Sequence, residues 1–151
     1  MFENIIGQKT NTQLLSVAVA QRQLPPALLF LGAPYTGKLS TALELARSLT
    51  CEQTGHWECP CSACQAQREL TYPYTVMLGN RYFEQEINLT ANVFLTEPCK
   101  VTFFLFLRSV RKLLRRFDNC LWDDHDNYYR KAKPILGQLA EQVAEFAHDN
   151  S

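Results

Sequence analysis

The spacing of apolar positions changes several times along the chain, and each change predicts an element. Residues 2–8 form a short apolar lead-in that closes on the turn residue Gly7. From about Thr10 or Asn11 to Gln23 the pattern is helical, with Leu14, Leu15, Val17, Ala18 and Val19 supplying the apolar face. Thr10, Asn11 and Thr12 offer cap oxygens at its start, and Pro25 and Pro26 stop it. Residues 27–31 (Ala-Leu-Leu-Phe-Leu) are apolar without interruption, which predicts a central parallel strand buried on both faces. Residues 39–49 return to a helical period. Ala42, Leu43, Leu45, Ala46 and Leu49 make the stripe, and Glu44 and Arg47 fall on the solvent side.

Beyond residue 64 a short helix is predicted over 65–70 and a second strand over 74–78, ended by Gly79 and Asn80. Residues 81–98 carry only weak strand signals, at 85–89 and 92–95. The strongest helical pattern of the C-terminal half runs over 100–117, where Phe103, Phe106, Leu107, Val110, Leu113, Leu114 and Phe117 share one face. Residues 118–127 read as an acidic connection. A last helix follows over 132–148, with Pro134 in its first turn and Ile135, Leu136, Leu139, Val143 and Phe146 facing the core.

Composition narrows the classes. At 151 residues, with 46% apolar and 20% charged, the chain suits one globular domain of modest size and excludes a disordered tail. Equal numbers of basic and acidic residues, 15 each, leave no global field toward nucleic acid. The start lacks the basic and long apolar regions of a secretory signal, and the apolar run at 101–107 is too short to span a bilayer. Four of the six cysteines crowd into residues 51–64. That clustering in a chain without a signal predicts metal binding in a reducing cytoplasm in preference to disulfides.

The predicted strand runs into Gly32-Ala33-Pro34-Tyr35-Thr36-Gly37-Lys38-Leu39-Ser40 and then into a helix, which is the order of parts in a phosphate-binding P-loop. Gly32 and Gly37 permit the sharp turn and close approach to an anion, and Lys38 is placed to reach the outer phosphates of a nucleotide such as ATP or ADP. Thr36, Gly37, Lys38 and Ser40 complete the candidate cofactor-binding set with Gly32. Leu39 stands where a hydroxyl should hold Mg²⁺. Ser40 lies about 100° further round the helix and does not replace it. The loop therefore reads either as a phosphate binder with weak or no hydrolysis, or as a ligand-free corner. It yields no catalytic residue.

Cys51, Cys59, Cys61 and Cys64 have the residue type and clustering of a structural Zn²⁺ site, where four thiolates close the coordination sphere. The single residue between Cys59 and Cys61 is tight, so His56 is an alternative to one of them. Cys99 and Cys120 lie apart from this cluster and read as ordinary residues.

Taken together, the lead-in, the apolar run with its loop, residues 42–52 and the cysteine knuckle resemble the N-terminus of bacterial DNA polymerase III clamp-loader subunits. These are AAA+ proteins that include the delta-prime subunit and its paralogue tau/gamma. Tyr72-Pro73-Tyr74 is similar to a histidine-proline-aspartate segment of that family, and residues 107–113 resemble its isoleucine-arginine-glutamate-leucine helix. The match is good over about residues 2–78. The resemblance implies an α/β P-loop NTPase fold of the AAA+ kind, a parallel sheet with flanking helices, here incomplete and carrying a small zinc-binding insertion. On this reading residues 1–151 are the N-terminal part of such a domain, with the knuckle at about 51–64 and a helical region at about 100–148.

The resemblance also places Ile6 and Gly7 near the adenine of a bound nucleotide. The first two gaps between cysteines are each one residue shorter than the family's. Leu39 favours the delta-prime kind, whose Walker A motif is often degraded. The function implied is a non-catalytic or weakly catalytic subunit in DNA replication. Its partners would be the tau/gamma and delta subunits and, through the assembly, the sliding clamp and primed DNA, with no membrane. The alternative is an ATP-hydrolysing tau/gamma-type subunit whose remaining motifs lie beyond residue 151. A Walker B strand is lacking: residues 120–124 have too short an apolar run, and Asp123, Asp124 and Asp126 read as a solvated turn with capping capacity. Whether the chain is a fragment or a truncated paralogue stays open. Arg108, Arg111, Lys112, Arg115 and Arg116 form a basic helix face, either simply solvated or a contact for DNA phosphates or an acidic subunit.

Overall fold

The computed structural model describes residues 1–79, 83–123 and 125–149, and among them the secondary structure is entirely helical. Six α-helices follow one another: α1 Lys9–Ala20, α2 Lys38–Thr50, α3 Ser62–Glu69, α4 Phe83–Thr96, α5 Lys100–Arg116 and α6 Asn127–Asp149. The expected parallel sheet is therefore corrected. A strand is stabilised by its ladder to a neighbour, and no backbone hydrogen bond joins residues 27–31 to another segment among the described residues. Leu29 and Leu31 are each 82% exposed, so the run is not a buried central strand. Residues 74–78 are likewise without strand structure, and the weak strand signals at 85–89 and 92–95 both fall inside α4. Asn80, Arg81 and Asp124 lie outside the described residues.

The chain folds as two compact units, Met1–Arg68 and Glu69–Ser151. In the first, α1 packs on α2. Helix α1 ends where Arg22 takes a left-handed conformation (φ 53°) and the N–H of Gln23 bonds back to the carbonyl of Ala18 at 2.9 Å. Gly37, at φ 80°, forms the N-cap of α2, a conformation glycine adopts without steric cost. The buried face of α2 is Thr41, Glu44, Leu45, Arg47 and Ser48. This overturns the expected placement of Glu44 and Arg47 in solvent, and Leu49 of the expected stripe is 57% exposed.

In the second unit α4 packs against α5, and α5 against α6. Phe94 of α4 meets Phe103 and Phe106 of α5 and Phe146 of α6 with ring centroids 5.6, 6.2 and 6.4 Å away. Thr90 and Ser109 share a 2.8 Å hydroxyl hydrogen bond between α4 and α5. Helix α6 begins earlier than its hydrophobic pattern predicts. The Asp126 carboxylate accepts the N–H groups of Tyr128 and Tyr129 at 2.8 and 2.9 Å, a cap that starts the helix at Asn127. Pro134 consequently lies inside the helix and not in its first turn.

Candidate metal centre and phosphate loop

Helix α2 delivers Cys51 at its C-cap, the following loop carries Cys59 and Cys61, and the first turn of α3 contributes Cys64. Their four sulfurs all lie within 4.8 Å of one another, and the Cys51 and Cys59 sulfurs are 3.6 Å apart. Zn–S bonds of about 2.3 Å in a tetrahedron separate sulfurs by roughly 3.8 Å. The donor set thus fits one tetrahedral thiophilic ion. His56 is elsewhere: its Nδ1 lies 3.0 Å from Glu3 Oε1, and its side chain is 70% exposed. All four cysteines converge without it.

The surroundings favour charge on Cys59 and Cys61 and oppose it on Cys64. The N–H of Gly55 donates to Cys51 Sγ at 3.1 Å, and Arg47 Nη1 donates to Cys64 Sγ at 3.0 Å. A backbone hydrogen bond from Cys61 pulls the Cys59 thiol down to about 6, against its burial. Cys61 is lowered as well, chiefly by a backbone hydrogen bond from Glu52. Burial pushes Cys64 up to about 12, with its hydrogen bonds to Cys51 and Cys61 adding and Arg47 opposing. A bound cation would remove the cost that burial imposes on this last thiolate.

Two arginines hold the loop that carries these sulfurs. Arg47 from α2 donates to the carbonyls of Gly55 and His56 at 2.8 and 2.9 Å, and Arg68 from α3 donates to the carbonyls of Trp57 and Cys59. Both guanidinium groups lie over the Trp57 ring, 5.8 and 5.7 Å from its centroid. Glu3 accepts the Trp57 N–H at 3.1 Å, so the lead-in clasps the same loop. Gly55 itself sits at φ 70°, and a Cβ there would meet the Met1 side chain at 2.7 Å. Hydrophobic patterning identifies neither arginine.

The glycine-bounded loop precedes α2 as expected. Lys38 Nζ folds back onto the loop, donating to the carbonyls of Gly32 and Ala33 at 2.9 and 2.6 Å, while Thr36 Oγ1 donates to the Ala33 carbonyl at 2.9 Å. Thr36 and Lys38 line a cavity of about 330 Å³ together with Gln8, Asn11, Phe30 and Thr41. Leu39 presents no hydroxyl, and Ser40 is exposed on the helix. Ile6, 93% exposed, and Gly7 lie in the turn before α1.

Four of the basic side chains of α5 are engaged within their own unit. Arg115 donates to the carbonyls of Leu70 and Tyr72 at 2.7 Å each and to Asp118 at 3.1 Å. Arg111 reaches the Glu69 carbonyl at 3.3 Å, Arg116 the Gly79 carbonyl, and Lys112 pairs with Glu86. The acidic turn is also accounted for: Asp118, Asp123 and Asp126 accept backbone N–H groups of Cys120, His125, Tyr128 and Tyr129. No helix among the described residues is long and apolar enough to cross a membrane.

A glycine-bounded, lysine-bearing loop leads into α2, and the far end of that helix opens a cluster of four cysteines that could hold a metal ion. The family model for "DNA polymerase III, delta subunit" matches residues 7–88, and the chain belongs to that family. Over 70 residues it is 37% identical to DNA polymerase III subunit tau of Bacillus subtilis, covering 46% of this chain and 12% of that protein. It is 42% identical over 65 residues to DNA polymerase III subunit gamma/tau of Mycobacterium tuberculosis, covering 43% and 11%. Protein STICHEL-like 4 of Arabidopsis thaliana is 37% identical over 65 residues, covering 43% and 7%. The chain thus spans at most 12% of the length of these three relatives. No solved structure gives a significant match.

Proposed function

We propose that this chain acts in DNA replication as a clamp-loader subunit of the delta-prime kind, binding a nucleotide phosphate weakly or not at all and not hydrolysing it. The observation that carries the reading is Leu39, a side chain without a metal-binding oxygen directly after the loop lysine, in a chain of the DNA polymerase III delta-subunit family. Phosphoryl transfer in P-loop enzymes relies on a metal held by that hydroxyl and by an acidic strand end. Here Asp118, Asp123 and Asp126 serve as caps. Gly32, Thr36, Gly37, Lys38 and Ser40 would face any phosphate, with Ile6 and Gly7 toward the base.

Cys51, Cys59, Cys61 and Cys64 would hold one Zn²⁺, which supplies a cross-link between α2, its loop and α3 and no open coordination position. The knuckle would then act as scaffold and contact surface for tau/gamma and delta subunits in the cytoplasm, with clamp and primed DNA reached through the assembly. The tau and gamma/tau relatives favour a second reading, an ATP-hydrolysing subunit of their kind. Steady-state turnover separates the two. The unaltered protein is expected to show no Mg²⁺-dependent ATP hydrolysis above a Lys38→Ala control, and turnover abolished by that substitution would establish the second reading.

A further inference from the structure

Arg47 and Glu44 are, with Cys64 and Ser109, the largest side chains buried almost completely in the described structure. A buried ion pair is costly unless every polar atom is satisfied. At Arg47 the satisfaction is complete. Its Nε donates to Glu44 Oε2 at 2.9 Å, and its Nη2 donates to Glu44 Oε1 at 2.6 Å and to the Gly55 carbonyl at 2.8 Å. Its Nη1 donates to the His56 carbonyl at 2.9 Å and to Cys64 Sγ at 3.0 Å. The five N–H donors of a guanidinium thus each meet one acceptor. Glu44 is fixed in turn by the Phe2 N–H at 3.3 Å.

This arrangement exceeds what folding a helix onto a loop requires. Satisfying the Gly55 and His56 carbonyls and the buried Glu44 carboxylate accounts for four of the five donors, and the fifth goes to a ligand sulfur. What only the cation provides is a fixed donor to a ligand sulfur and a positive charge beside a centre of four thiolates. We propose that Arg47 is the positioning residue of the metal centre. Held by Glu44, it orients Cys64, pins the 55–56 carbonyls and thereby slows release of the bound metal. The inference rests on the reading of the four cysteines as a metal site.

Groups that hydrogen-bond to metal ligands typically change metal affinity about 10- to 100-fold when removed. The test uses the full chain loaded with one equivalent of Zn²⁺, and separately with Co²⁺, whose thiolate charge-transfer and d–d absorptions report the sulfur environment. Arg47→Met is expected to bind one equivalent, to release it to a chromogenic chelator about 10- to 100-fold faster, and to shift the charge-transfer band. Arg47→Lys, which keeps the charge and loses the fork, is expected to fall between. Glu44→Gln is expected to speed release in the same direction, and it serves as the second probe should Arg47→Met not fold. A role in packing alone would lower the melting temperature and leave the cobalt spectrum unmoved. Release at the unaltered rate with an unshifted spectrum in folded Arg47→Met and Arg47→Lys overturns the proposal while the metal site stands. Failure of the unaltered chain to take up either ion overturns both.

Discussion

Asp118 shows how much one carboxylate does in the second unit. Its Oδ1 accepts the Cys120 N–H at 3.2 Å and its Oδ2 accepts Arg115 Nη1 at 3.1 Å, so it starts a short 3-10 turn and neutralises an arginine that also holds two carbonyls. The Cys120 backbone hydrogen bond first, and the Arg115 charge after it, hold its carboxyl below the ordinary range. A carboxyl depressed in the folded state stabilises fully above its unfolded value, near 3.9, and that contribution disappears as pH falls through the lower folded value. Asp118→Asn is therefore expected to reduce stability at neutral pH and to lessen its loss on acidification. Carboxyl-carbon NMR titration together with acid unfolding measures both. The same residue read from the sequence was one acid in a polar connection, because its bond to the Cys120 N–H depends on the turn formed there and its second partner, Arg115, comes from the preceding helix.

Element by element, periodicity identified which residues share a face but not always which face turns inward. On α5 the two agree: Leu107 and Val110 of the predicted stripe are each 5% exposed, whereas Leu105 off the stripe is 46% exposed. Leu107→Ala is expected to cost about 2–5 kcal/mol, and Leu105→Ala less than about 0.5 kcal/mol, both by urea unfolding. On α2 they disagree, since Glu44 and Arg47 are buried and Leu49 is exposed. The neighbour there is a loop presenting carbonyls and sulfurs, which an arginine satisfies and a leucine does not. Helix α4 marks a different failure. Its sequence contains β-branched and aromatic residues that carry weak strand signals, yet Phe94 and Thr90 meet α5 at helical spacing, so tertiary contact overrides local propensity.

At the scale of the whole molecule the two units hold themselves together by different means. Residues 1–68 gather around the cysteine knuckle and the Glu44–Arg47 pair, with few large apolar side chains buried. Residues 69–151 rest on aromatic contacts among α4, α5 and α6, and on Trp122 stacking with Phe117 and Tyr129 at 5.6 and 6.0 Å. A chelator is accordingly expected to speed amide exchange in residues 51–68 and to leave the α4–α5 amides protected, as read by hydrogen-exchange mass spectrometry. Equal loss of protection in both units would contradict this division. By itself the sequence determined the thiol cluster, the loop with Lys38 and Leu39, the helices at α1, α2, α3, α5 and α6, and the family resemblance that the match over residues 7–88 upholds. These are properties of local spacing and residue type, which need no partner to be legible. The tertiary structure alone decided that residues 27–31 form no strand, that Arg111, Arg115 and Arg116 of α5 bond carbonyls of residues 69–79, and that an arginine reaches the fourth sulfur. Each depends on a neighbour distant in sequence: a ladder needs a second strand, a buried cation needs acceptors, and spacing along one segment records neither.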